Sequence, residues 1–110
     1  MNVLPVNVFK DSFKPIIELL NKNKIEYQMR EERSGIFMAS SSVIEIIVNA
    51  SLWVSLASVI IAFIKAKNGR EVTITTKDNQ VIHATGLDSK QLENVLQNAR
   101  NINAIDTGKE

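Results

Sequence analysis

The chain has 110 residues, 45% of them hydrophobic and 23% charged, which is enough for one domain with its own core and too apolar for a disordered segment. Thirteen basic against twelve acidic residues leave a net charge of +1, which argues against a polyanion-binding protein. The lack of cysteine excludes disulfides, thiolate nucleophiles and cysteine-type zinc sites, and suits a cytoplasmic location.

The N-terminal MNVLPVNVFKDSF has no basic stretch followed by an apolar run, so no secretory signal is expected. Val3 to Phe9 is rich in β-branched and aromatic residues and predicts a first strand, with Pro5 suited to an edge. Ser12 is placed to cap a helix whose first turn holds Pro15. Phe13, Ile16, Ile17 and Leu20 make its apolar face. Asn21 to Lys24 ends it. Ile25, Tyr27 and Met29 then alternate with Glu26, Gln28 and Arg30, the period of a half-buried strand.

Glu31 to Ser42 is the least regular segment. Beyond it, Ser42 to Lys67 reads SVIEIIVNASLWVSLASVIIAFIKAK, and a single long helix over residues 43–67 is expected, with Ser42 and Glu45 at capping-box spacing. Two readings of it are open. Ile46 to Ile64 carries no charge and is followed by Lys65, Lys67 and Arg70, the pattern of a membrane span, and Ser51, Ser55, Ser58, Ala62 and Ala66 form a small-residue stripe. The alternative is a helix buried nearly all round inside one domain, or against a second copy in a homodimer. Glu45 and Asn49 near its start favour the buried helix. So do the flanking segments, which would be marginal as separate globules.

Asn68-Gly69 is a helix stop. Val72, Ile74 and Thr76 alternate with threonines, Asp78-Asn79 supplies a tight turn, and Val81 to Thr85 returns as the second arm of a hairpin. Asp88 with Gln91 predicts a capped last helix, stapled by Leu87 against Leu92, with Leu92, Val95, Leu96, Ala99 and Ile102 as its apolar stripe. The expected fold is α+β in the order βαβ-α-ββα: a sheet of about four strands covered by one long apolar helix and two shorter ones, spanning residues 1–105, with 106–110 as a flexible tail.

No catalytic constellation stands out. His83 is the sole histidine and has no cysteine or second histidine as a companion. The acidic residues fall at caps, solvent phases and turns, which leaves a carboxylate hydrolase as a reading no particular pair supports. Gly35, Gly69, Gly86 and Gly108 are too scattered for a phosphate loop. Lys65, Lys67 and Arg70 have no interleaved aromatics, so they read as a solvated helix end and not as a nucleic-acid site. Tyr27 and Trp53 are isolated and read as packing residues. The segment to single out is Gly35, Ile36, Phe37 and Met38, where large apolar side chains interrupt a polar stretch. They either plug the core or anchor a protein partner.

The Gly35–Met38 turn, the alanine- and serine-studded helix ending at Lys65–Arg70, the following hairpin and the capped helix from Asp88 together resemble the effector-associated constant component domains of bacterial conflict systems. That resemblance covers most of the chain. It implies a non-catalytic, cofactor-free partner of an effector or toxin, acting as an adaptor or immunity protein. The contrasting expectation is a small inner-membrane protein anchored by a span at about 46–64.

Overall fold

The computed structural model describes residues 3–10, 12–29 and 41–106. Its elements are β1 (Val3–Lys10), α1 (Phe13–Lys22), β2 (Tyr27–Met29), β3 (Ser41–Ile47), α2 (Leu52–Lys65), β4 (Arg70–Thr76), β5 (Val81–His83), α3 (Ser89–Gln97) and β6 (Ala99–Asp106). The fold is α+β, with a mixed six-stranded sheet in the order β2-β3-β1-β6-β4-β5 in place of the four strands expected. β1 and β6 run parallel, and all other neighbours are antiparallel.

This order places every helix on the same side. β1-α1-β2, β3-α2-β4 and β5-α3-β6 each join parallel strands that are not neighbours in the sheet. The first and third units step one way across the sheet. The second starts from a strand of opposite direction and steps the other way. A half-turn about the sheet normal interconverts the two cases, so the right-handed rule for such crossovers puts all three helices on one face. Burial agrees. Leu4, Val6, Val8, Ile44, Ile46, Val72, Ile74, Ile102 and Ala104 of the strands form one core with Ile16, Leu20, Leu56, Val59, Ile60, Phe63, Leu92 and Leu96 of the helices. The space left at its centre is about 10 Å³, too small and too apolar for a water.

Two expectations are corrected. Residues 41–47 form a strand, and the helix begins only at Leu52. Val43, Ile44, Ile46, Ile47 and Val48 are β-branched, and Ile44 and Ile46 are buried while Val43, Glu45 and Ile47 are partly exposed, the alternation of a one-sided sheet. The chain turns at Asn49, whose Oδ1 accepts from the Ser51 N–H and hydroxyl at 3.1 and 3.0 Å. Glu45 therefore lies within a strand, where it accepts from Gln28 Nε2 across β2 and β3 at 2.9 Å. The remaining helix has 14 residues, and among the described residues no helix is long and apolar enough to cross a membrane. Nor is it buried all round: Val54, Ser58, Ala62 and Lys65 are exposed.

The second correction is β6. Ala99 and Ile102 continue the apolar spacing of α3 but belong to a strand next to β1, and Asp106, expected in the tail, ends that strand at 1% exposure. Pro5 accordingly lies on a central strand and not an edge, one residue before the β1–β6 ladder starts at Val6 and Ile102. Ser12 makes no side-chain cap. Its buried hydroxyl accepts from Phe9 N–H at 2.9 Å and donates towards the carbonyls of Phe9 and Ala104, tying α1 to β1 and β6.

Local signals elsewhere hold. α1 closes with Lys24 at φ 59, where Lys24 and Ile25 N–H groups bond the Asn21 and Leu20 carbonyls. Gly69 has φ 86 beyond α2 and Asn79 has φ 67 in the β4–β5 turn. The Asp88–Gln91 capping box forms in both directions, at 2.8 and 3.0 Å. Asp88→Ala is expected to cost about 1 kcal/mol, seen in thermal melts as a drop of roughly 4–6 °C. An unchanged melting temperature would mean that the box contributes nothing.

Candidate interaction surface

With all helices on one face, no described element covers the other face of the sheet, termed the open face, and the register assigns its residues. One row across the strands reads Val43, Asn7, Asn103, Thr73 and His83. The next reads Gln28 and Glu45, then Pro5, and then Asn101, Thr75 and Val81. Phe9 and Ile105 are neighbours on the parallel pair and lie diagonally from Val43, and Val3 and Ile47 pair at the opposite corner. None of these apolar residues packs against the helix-side core, yet Val3, Pro5, Phe9, Val43, Ile47 and Ile105 are all partly buried.

The face is neutral at its centre. Asn7 Nδ2 donates to Asn103 Oδ1 at 2.8 Å, a side-chain rung between the two central strands. Asn101 Oδ1 beside it is buried without a hydrogen-bond partner. Among the described strand residues, Glu45 and Glu71 are the acidic ones whose alternation sets them on this face. The exposed Arg100 sits at its rim, where the ladder slips between Thr75 and Thr76. Apart from Arg100, the described strands set no lysine or arginine on this face by their alternation, which is the wrong distribution for a phosphate backbone.

The residues singled out from the sequence do not converge. Gly35, Ile36, Phe37 and Met38 lie outside the described residues. His83 is exposed on β5. Tyr27 and Trp53 pack against the core as expected, and Tyr27 Oη donates to Asn21 Oδ1 at 3.1 Å. The basic group after α2 is only in part a solvated helix end. Arg70 Nε pairs with buried Asp106 at 3.0 Å, Nη1 donates to the Phe63 carbonyl at 3.1 Å, and the guanidinium lies 4.6 Å above the Phe63 ring. Lys67 Nζ stands 3.8 Å from the same carboxylate. This cluster locks α2 to β4 and β6 and is structural. Among the described residues no group of three or more His, Cys, Asp or Glu side chains could hold a metal ion.

No family model, curated protein or solved structure matches the chain. The case for a function therefore rests on the surface itself. Sequence reasoning missed that surface because it placed 43–47 in the long helix, Ala99 and Ile102 on the stripe of the last helix, and Asp106 in the tail. The alternations VNVF in β1 and NINAID in β6 were the signals that could have revealed it.

Proposed function

We propose that this protein is a non-enzymatic binding component whose ligand is another folded protein, an effector or toxin of a bacterial defence or competition system. The observation that carries the binding reading is the open face of the six-stranded sheet. Its centre is uncharged, with apolar residues at two corners, and that composition matches the depletion of charge at protein interface cores. Six strands spaced about 4.8 Å apart, with central strands of about 23 Å, offer several hundred Å², on the scale of the ~800 Å² per partner of a standard interface. The class of partner rests on the family resemblance of the sequence.

Lysines on both sides of the Asn7–Asn103 rung test this. The variant Val43→Lys with Thr73→Lys places two charges on the face without touching the helix-side core. Binding to a partner recovered from the native host, measured with both proteins purified, is expected to fall at least tenfold. The melting temperature should stay within about 4 °C, since surface substitutions seldom exceed ±0.5 kcal/mol. Unchanged affinity would remove the open face from the function.

A further inference from the structure

β5 is a three-residue strand at one edge of the sheet, Val81-Ile82-His83. Its pairing with β4 fixes which backbone groups are spent. Ala84 N–H bonds the Val72 carbonyl and Thr76 N–H bonds the Gln80 carbonyl, both at 2.9 Å. In an antiparallel ladder bonded and non-bonded pairs alternate, so the Ile74–Ile82 pair between them is bonded as well. Val81 and His83 therefore turn their N–H and C=O groups away from β4, and no other described residue bonds them. This edge presents two donors and two acceptors in strand geometry.

Natural edges are blunted by charge, proline or a bulge. β5 has none of these, and Val81 is 61% exposed; only its shortness protects it. Beside it, on the helix side, a cleft of about 540 Å³ runs between the hairpin and α3. Ile82 and Val95 form its apolar part, and Gln80, Asn94 and Asn98 supply carboxamides. Lys77 and Asp78, of opposite sign, also line it, so the cleft favours neither charge. Its walls are tied together. Lys77 N–H bonds the Asn98 carbonyl at 2.9 Å, and the buried Thr76 hydroxyl donates to Asp78 Oδ1 and accepts from Gln80 N–H.

We propose that the β5 edge and this cleft form a docking site for an extended peptide segment of another protein. The segment adds antiparallel to β5 as a seventh strand, using the free groups of Val81 and His83. Side chains alternate between faces, so the residue opposite Ile82 enters the cleft, where the uncharged apolar floor and amide rim suit an aliphatic side chain. Main-chain bonds then give affinity and the cleft gives specificity. Val81 and His83 turn their side chains to the open face, but this site uses only their backbone groups and the helix-side cleft, so either proposal can fail without the other.

The probe is a phage-displayed library of linear ten-residue peptides selected on the full chain. Peptides carrying an aliphatic residue flanked by strand-forming residues are expected to enrich, and the amide protons of Val81 and His83 should become protected from exchange on binding. Val81→Pro removes one free donor while leaving the bonded Ile82 rung in place, and it should reduce affinity at least tenfold. Asn94→Arg, an exposed change on α3 that narrows the cleft from its other wall, should do the same should the proline variant fail to fold. Absence of enrichment, binding unaffected by both variants, or protection of other amides in place of these two would overturn the proposal. A concentration-dependent dimer abolished by Val81→Pro would overturn it too, by making a second copy the occupant of the edge.

Discussion

Asp106→Ala is expected to destabilise the protein by about 3–5 kcal/mol, the range for removing one partner of a buried ion pair. Asp106 is 1% exposed, and the Arg70 side chain that pairs with it is only 11% exposed. Without the carboxylate, Arg70 remains desolvated with a carbonyl and an aromatic ring as company but no counter-charge. Loss on this scale is a large share of the 5–15 kcal/mol that holds a typical domain together. Denaturant titration reads it directly. The double variant Asp106→Ala with Arg70→Met removes the stranded cation and is expected to recover at least half of the loss. A single variant that loses less than about 1 kcal/mol would show the pair to be hydrated and dispensable.

Phe63→Ala is expected to cost a similar amount, about 3–5 kcal/mol, through lost transfer energy and the cavity left behind. The ring is fully buried near the end of α2 and lies under the Arg70 guanidinium. Its removal hollows the core where α2 meets the Arg70–Asp106 pair. Phe63→Leu keeps much of the volume and should cost clearly less. Because Phe63 and Asp106 both contact Arg70, their effects should not add. A double variant whose loss equals the sum of the two single losses would contradict that coupling.

The parts of the fold legible from sequence are those set by neighbours in the chain. The Asp88–Gln91 box, the Asn79 turn, the stop at Gly69 and the alternation of Val72, Ile74 and Thr76 each need only a few residues to act. The parts that escaped are set by distant partners. Val43–Val48 adjoins an apolar helix without a glycine or proline between them, so composition alone merges the two. Only pairing with β1 and β2 makes 41–47 a strand. Ala99 and Ile102 satisfy a helical stripe equally well until β1 and β4 claim them. The open face follows from these same two strands and was hidden with them. Phe9 and Ile105 carry no local sign of adjacency, and Gly35–Met38 drew attention because an apolar cluster in a polar stretch of sequence is visible without knowing the fold.

The parallel pairing of β1 with β6 also bears on how the chain reaches its native state. The Asn7–Asn103 rung joins residues 96 apart in sequence, so the middle of the sheet is built from the two most distant strands described. Topologies dominated by such long-range contacts fold slowly, because loop closure must precede the contacts that reward it. During synthesis β1 and β3 can pair early, but the inner edge of β1 has no neighbour until residues 99–106 leave the ribosome. Until then that edge offers open backbone groups to any other strand, and the chain in that interval is the form most exposed to aggregation and to chaperones.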